Sequence, residues 1–236
     1  KLKCHLSNHL RRKKPCKKKL KAISLFSGMG GDSLGIHNCG IELVAYSEIN
    51  QVFQKTHESN FPDSKLIGNG DITKTSDSDF SIYKNKIDLI FAGFPCQGFS
   101  QAGKKLPDDP RNTLFREFLR STKLIKPKYI IGENVKGLLS RKTLDKELYI
   151  DIIKNEFIKI GYDIWYKVYM CSKLDIGVPQ NRERLIIVGI RSDLNKTFNF
   201  PEENNNKKGN LKNIVKFNMK GSLKVEPEYL DFDFND

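Results

Sequence analysis

The stretch "LKAISLFSGMGGDSLGIHNCG", Leu20 to Gly40, sets the architecture. A short apolar run containing the β-branched Ile23 passes straight into a turn built on Gly28, Gly30 and Gly31. A strand that feeds such a turn and then a helix is the opening unit of a layered α/β sheet. Outward from it, the alternation continues. "IELVAYSEIN" (41–50) reads as a second strand and Gln51 to Asn60 as a helix. "IDLIFAGF" (87–94) is apolar on both faces, as a buried parallel strand must be. Thr113 to Lys126 reads as an amphipathic helix with Leu114, Phe118, Leu119 and Ile125 on one side, stopped by Pro127. "YIIGEN" (129–134) is another buried strand, Leu144 to Ile160 a long helix, and "RLIIVGIR" (184–191) a further strand. This order predicts a doubly wound, mostly parallel α/β sheet, with ligands beyond the carboxyl ends of its strands.

Composition narrows the class. At 236 residues the chain can bury a full core, and a mean hydropathy of −0.50 describes a soluble globular protein. No apolar run approaches the roughly 20 residues of a membrane helix, and the N-terminus is too basic for a signal-peptide core. Five scattered cysteines suit a reducing compartment. The expected location is the cytoplasm, or the nucleus for a eukaryotic or viral source. The net charge of +13 points towards nucleic acid, but ten of its basic residues crowd into residues 1–21 without an acid, which leaves +3 for the other 215. Residues 1–20 are expected to be a disordered tail with weak, salt-sensitive affinity for DNA. Cys4, His5, His9 and Cys16 in that tail match none of the paired zinc spacings, so no metal is expected. Residues 21–194 are expected to form the catalytic domain. From Asn195 the chain turns polar, and 195–236 reads as a linker-like segment.

Candidate ligand groups gather at strand ends. Glycines in "LFSGMGG" let the backbone approach a ligand, and the helix that follows offers free N–H groups. Glu48, twenty residues after Gly28, ends the second strand and can accept both hydroxyls of a ribose. Asp71 in "GNGDI" can accept from an adenine amino group. The glycine spacing lacks the G-x-G-x-x-G that makes room for a pyrophosphate, so a nucleoside cofactor such as S-adenosylmethionine fits at least as well as a nicotinamide or flavin. The plain alternative is a tight turn beside a surface glutamate.

Three more features share that edge of the sheet. Cys96 follows the strand 87–94 in "FAGFPCQGFSQAG", Glu133 ends the strand 129–133, and "PQNRER" places Arg182 and Arg184 two residues apart before the last strand. Taken singly, each is more often a buried thiol, a solvated strand end or surface charge. Together they suit a planar, polar heterocycle. Methylation of cytosine at C5 needs a thiolate to add at C6, a protonated carboxyl near N3 and the 4-amino group, and a guanidinium at O2. The base must leave the duplex stack to receive them.

On these residues the chain resembles the DNA (cytosine-5) methyltransferases of bacterial restriction–modification type, from about Lys21 to Arg191. "LFSGMGG", "GFPCQGFSQAG", "RNTLF", "GENVKGLL" and "GVPQNRERLIIVGIR" occur in the family's order. The resemblance implies a Rossmann-like S-adenosylmethionine-dependent methyltransferase fold and double-stranded DNA as partner. It places Phe26, Ser27, Gly28, Gly30 and Gly31 in the cofactor site, Glu48 at the ribose, and Ile49, Asp71 and Ile72 at the adenine. Pro95 and Leu114 close over the cofactor. Cys96 is the implied nucleophile, Glu133 the partner of N3 and the amino group, Arg184 the O2 contact and Arg182 a support for the flipped nucleotide. Gln97 and Ser100 lie on the loop that closes over DNA. Ser24 stands where the family commonly has an acid, with little effect expected. A target-recognition domain and the final "GN-small-V" segment are not seen, and "GNLKNIV" (209–215) does not replace that segment. The expectation is therefore a truncated catalytic part or one subunit of a split enzyme whose second chain carries the missing pieces. Two alternatives remain: a non-catalytic module that binds S-adenosylmethionine or DNA, and the same chemistry on RNA.

Overall fold

Seven strands make one sheet: β1 (Lys21–Leu25), β2 (Glu42–Ser47), β3 (Lys65–Leu66), β4 (Leu89–Ala92), β5 (Tyr129–Asn134), β6 (Tyr162–Met170) and β7 (Glu183–Arg191). Their order is β3-β2-β1-β4-β5-β7-β6. The computed structural model describes residues 19–95, 114–143, 146–174 and 180–203. The first five strands in space run parallel, while β7 is antiparallel to both β5 and β6. The doubly wound α/β expectation is met. The strand order reverses between β1 and β4, which opens a crevice at their carboxyl ends. Because β7 is reversed, its first residues lie beside the last residues of β5, with Glu133 opposite Ile186 and Asn134 opposite Leu185.

The helices are α1 (Gly31–Asn38), α2 (Gln51–Asn60), α3 (Asp77–Ser81), α4 (Phe115–Ile125) and α5 (Tyr149–Lys159). Asn50 caps α2 by accepting from Val52 N and Phe53 N, and Ser76 with Asp79 forms a capping box on α3. The helix expected over 144–160 starts later, at Tyr149. A β-bridge between Lys142 and Leu148 and a left-handed Lys146 (φ 67°) hold the preceding turn out of helical conformation. Strand β6 was not anticipated.

Side chains alternate between two unequal layers. Ile23, Leu25, Ile90, Ala92, Ile130, Leu185 and Ile187 face α4 and α5 in a large core with Phe80, Phe115, Phe118, Ile153 and Phe157. Burial of each such side chain is worth about 1.5–3 kcal/mol. The opposite face holds a smaller cluster of Ala22, Ile36 and Leu43, with Phe61, Leu89 and Phe91 against it. Tyr129, Ile131, Trp165 and Ile186 on that face are half-buried and join neither cluster. Beyond β7, residues 195–203 run back over β6: Tyr169 Oη donates to Pro201 O (2.7 Å) and Met170 N to Glu203 Oε1 (2.8 Å). Among the described residues, no helix is long and apolar enough to cross a membrane.

Candidate active site

The turn after β1 is held in left-handed conformations at Phe26 (φ 57°), Gly28 (φ 56°) and Gly30 (φ 96°). Phe26 is not a glycine, and a non-glycine residue there marks a conformation imposed by its surroundings. A Cβ on Gly30 would sit 2.6 Å from the Phe61 ring and 3.1 Å from the His57 ring, so the turn packs directly on α2 and its end. Ser27 ties the turn to the end of β2 through its N–H, which donates to Ser47 O (3.0 Å). Beneath it, the Ser24 hydroxyl donates to the Asp32 carboxylate. Burial pushes the Asp32 carboxyl above its ordinary range, against the pull of that bond. Ser33 Oγ meets His57 Nε2 at 2.9 Å in the same buried layer.

Glu48 follows β2 and is buried. Its Oε2 accepts from Gly28 N and its Oε1 from Asn50 N, both at 2.8 Å. Two backbone donors thus orient the carboxylate across the glycine turn. Each oxygen keeps a lone pair, which is what two vicinal hydroxyls require. Gln54 Nε2 donates to Glu48 O (2.6 Å) and holds the main chain from the other side. Ile49 is 67% exposed beside the carboxylate.

Asp71 lies in the turn after β3. Its Oδ1 accepts from Thr73 N (3.1 Å) and Thr73 Oγ1 (2.6 Å), and its Oδ2 meets the exposed Lys74 Nζ at 3.2 Å. The Thr73 hydroxyl bond leads the causes that hold this carboxyl below its ordinary value. Ile72 is buried in the large core, so a contact from it to a ligand runs through its backbone. Leu114 is half-buried where α4 begins. These features fit a nucleoside: a left-handed glycine turn, a doubly oriented carboxylate, and a second carboxylate with a lone pair to spare.

At the ends of β4 and β5, Glu133 Oε1 and Arg184 Nε are 2.6 Å apart. A Cβ on Gly93 would lie 3.8 Å from Glu133 Oε2 and 3.9 Å from Phe26 O, so three strand ends converge there. Burial pushes the Glu133 carboxyl above its ordinary value, opposed by the guanidinium of Arg182. Arg182 is exposed at the start of β7 and its carbonyl accepts from Cys171 N (2.9 Å). Asn134 Nδ2 donates to Phe94 O (3.2 Å) while its Oδ1 accepts from Val135 N (2.8 Å), which pins the backbone leading to Pro95.

Phe26, Ser27, Gly28, Gly30, Gly31 and Glu48 therefore meet along β1 and β2, and Glu133 and Arg184 meet at β5 and β7. Cys96, Gln97 and Ser100 lie outside the described residues, as do the basic tail and the segment 209–215. Three supporting residues escaped the sequence reading: Asn134, Gln54 and Gly70. Gly70 left a trace in "GNGD", a glycine just before the candidate acid. The other two act through tertiary hydrogen bonds and left none.

The mostly parallel sheet is that of a doubly wound α/β protein, and its carboxyl edge brings a glycine turn with a doubly oriented carboxylate close to a carboxylate–guanidinium pair. The C-5 cytosine-specific DNA methylase model matches residues 20–231, and the chain belongs to that family. It is 41% identical over 173 residues to the type II methyltransferase M.Eco47II of Escherichia coli, covering 73% of this chain and 40% of that protein. M.FnuDI of Fusobacterium nucleatum is 41% identical over 184 residues, covering 77% and 50%. The chain thus spans half or less of the length of these relatives. Among solved structures, a prophage-encoded DNA modification methyltransferase from E. coli superposes with a TM-score of 0.63 at 31% identity, over 77% of this chain and 49% of that one. A DNMT2 variant from Spodoptera frugiperda gives 0.64 at 25% identity, over 86% and 61%.

Proposed function

We propose that this chain carries the methyl-transferring part of a DNA cytosine-5 methyltransferase, within residues 21–194. The observation that carries the reading is the Glu133–Arg184 pair set against Gly93 at the end of the strand that leads to Cys96. S-adenosylmethionine, when bound, supplies an electrophilic methyl group on sulfur. Gly28 and Glu48 hold its ribose, Asp71 its adenine amino group, with Ile49, Ile72, Pro95 and Leu114 around the ring and the turn of Phe26, Ser27, Gly30 and Gly31 beneath. The Cys96 thiolate adds to C6 of a cytosine flipped out of the duplex. Electrons then move towards N3, where Glu133 delivers a proton, and burial, which raises its pKa, favours the protonated carboxyl that this step needs. On binding, before that step, the incoming ring takes the place of the Glu133–Arg184 contact, so Arg184 passes to O2 and Glu133 takes up the proton that it gives to N3. Arg182 supports the flipped nucleotide, and Gln97 and Ser100 face the DNA. After methyl transfer to C5, a water takes the C5 proton, the C–S bond breaks with its electrons returning to sulfur as the thiolate, and N3 gives its proton back to Glu133.

Residues 195–236 lead towards target recognition, supplied by a second chain or a further segment. The test is transfer of a labelled methyl group from S-adenosylmethionine to mixed-sequence duplex DNA, with Cys96→Ala beside the wild type and an RNA arm in parallel. Cys96-dependent labelling of DNA is expected, with cofactor affinity unchanged in Cys96→Ala. Undiminished labelling by Cys96→Ala removes the thiolate mechanism, and labelling of RNA alone moves the substrate.

A further inference from the structure

The turn that carries Asp71 hangs from the edge of the sheet. Strand β3 contributes only Lys65 and Leu66, paired with Ala45 and Tyr46, and among the described residues no strand lies beyond it. Two residues of ladder are a weak anchor for a group that must meet a ligand within a few tenths of an ångström. The anchoring comes instead from α4, through one side chain. Arg120 Nη2 donates to Ile72 O (2.9 Å) and Thr75 O (3.0 Å), the two carbonyls that bracket the turn. The guanidinium is itself aimed by Glu117 Oε2, which accepts from Nε (2.9 Å) and Nη2 (2.6 Å), and by Asp77 Oδ1, which accepts from Nη1 (2.6 Å). It lies over the Phe80 ring at 5.0 Å. All three nitrogens of one planar fork are engaged, an arrangement that an ammonium cannot reproduce.

We propose that Arg120 is a positioning residue for adenine recognition, fastening the Asp71–Thr75 turn to α4 so that the Asp71 carboxylate meets the 6-amino group at a set place. The inference rests on the reading of Asp71 as the adenine partner. Within the turn, Thr73 sets the rotation of the carboxylate by holding Oδ1. Arg120 sets where the turn stands relative to the rest of the cradle, since α4 also begins with Leu114 at the cofactor wall. The ion pairs with Glu117 and Asp77 aim the guanidinium, while the two carbonyl bonds transmit the position.

The test measures binding of S-adenosylhomocysteine and of its 6-oxo counterpart, S-inosylhomocysteine, by calorimetry to wild type, Arg120→Lys, Arg120→Gln and Asp77→Asn. Wild type is expected to prefer the adenine compound. Arg120→Lys and Arg120→Gln are expected to bind that compound about tenfold more weakly, as loss of a charge-assisted bond implies, and to bind the inosine compound almost unchanged. The preference therefore collapses. Asp77→Asn keeps both carbonyl bonds and is expected to keep the preference, even where its melting temperature falls as far as that of Arg120→Lys. Equal weakening towards both compounds, or a preference lost equally in Asp77→Asn, makes Arg120 a general support and overturns the proposal, as does failure of both Arg120 variants to fold. A wild type that binds neither compound overturns the cofactor reading itself, a separate outcome.

Discussion

Gly70 shows how much of the site depends on single positions with no chemistry of their own. It adopts φ +89°, and a Cβ there would drive into Glu48 O and Gln54 Nε2. Gly70→Ala is expected to cost about 2–4 kcal/mol, combining left-handed strain with overpacking. The substitution also shifts Glu48 and weakens cofactor binding, so urea unfolding and calorimetric titration should move together. His57 offers a second handle. It is fully buried, stacked on Tyr46 at 3.8 Å, and its Nδ1 has no hydrogen-bond partner. Burial pushes its pKa down from 6.5 to about 4. Above pH 6.5 both folded and unfolded chains keep it neutral, and its contribution to stability is whole. Between pH 6.5 and 4 only the unfolded chain takes the proton, so stability falls as pH drops, by about 3 kcal/mol in total. Wild type minus His57→Gln, followed by urea unfolding across that range, isolates the loss, because glutamine keeps a donor for Ser33 without titrating. Glu48, Asp71, Glu133 and Arg184 stood out as candidates in the sequence because each falls at or near the end of a strand-like run, or at the start of one in the case of Arg184. His57 was not, since its place on α2 looks like any other turn of a polar helix until Gly30 and Tyr46 pack against it.

Strand β7 carries the most consequence of any element. Nothing in "RLIIVGIR" states its direction, yet only the reversed direction sets Arg184 beside Glu133. Its apolar run announced a strand, whereas direction and neighbours are tertiary facts. The same limit hid β6, whose sequence "YDIWYKVYM" mixes charge with aromatics and which is the last strand of the sheet among the described residues. Helix α5 began late for a local reason, the Lys142–Leu148 bridge. At the ends of β4 and β5, Asn134 joins two elements through Phe94 O, and Cys96 comes two residues after Phe94 in the sequence. Asn134→Ala leaves a buried acceptor without its donor, at a cost of about 1–3 kcal/mol. It is expected to lower kcat for methyl transfer at least tenfold while the affinity for S-adenosylhomocysteine changes little. Single-turnover transfer and calorimetry on the same preparation separate those two effects.

The two sheet faces differ in a way that the strand sequences alone would not predict. "IDLIFAGF" and "YIIGEN" are apolar on both sides, as strands covered on both sides are. In the structure, helices α4 and α5 cover one face with a large core, and the described residues form a smaller cluster around Ile36 on the other. Ile130 and Ile131 are adjacent in β5 and point to opposite faces, the first fully buried and the second half-buried. Glu133 stands two residues on from Ile131, on the same side, so whatever lies along that face also borders the candidate site. Ile130→Asp is expected to prevent folding, because an unpaired carboxylate in that core costs several kcal/mol. Ile131→Asp in the isolated chain is expected to cost about 1 kcal/mol or less, because water still reaches it. Urea unfolding and soluble yield of the two variants make the comparison. A cost at Ile131 equal to that at Ile130 would mean that residues beyond those described already cover the second face.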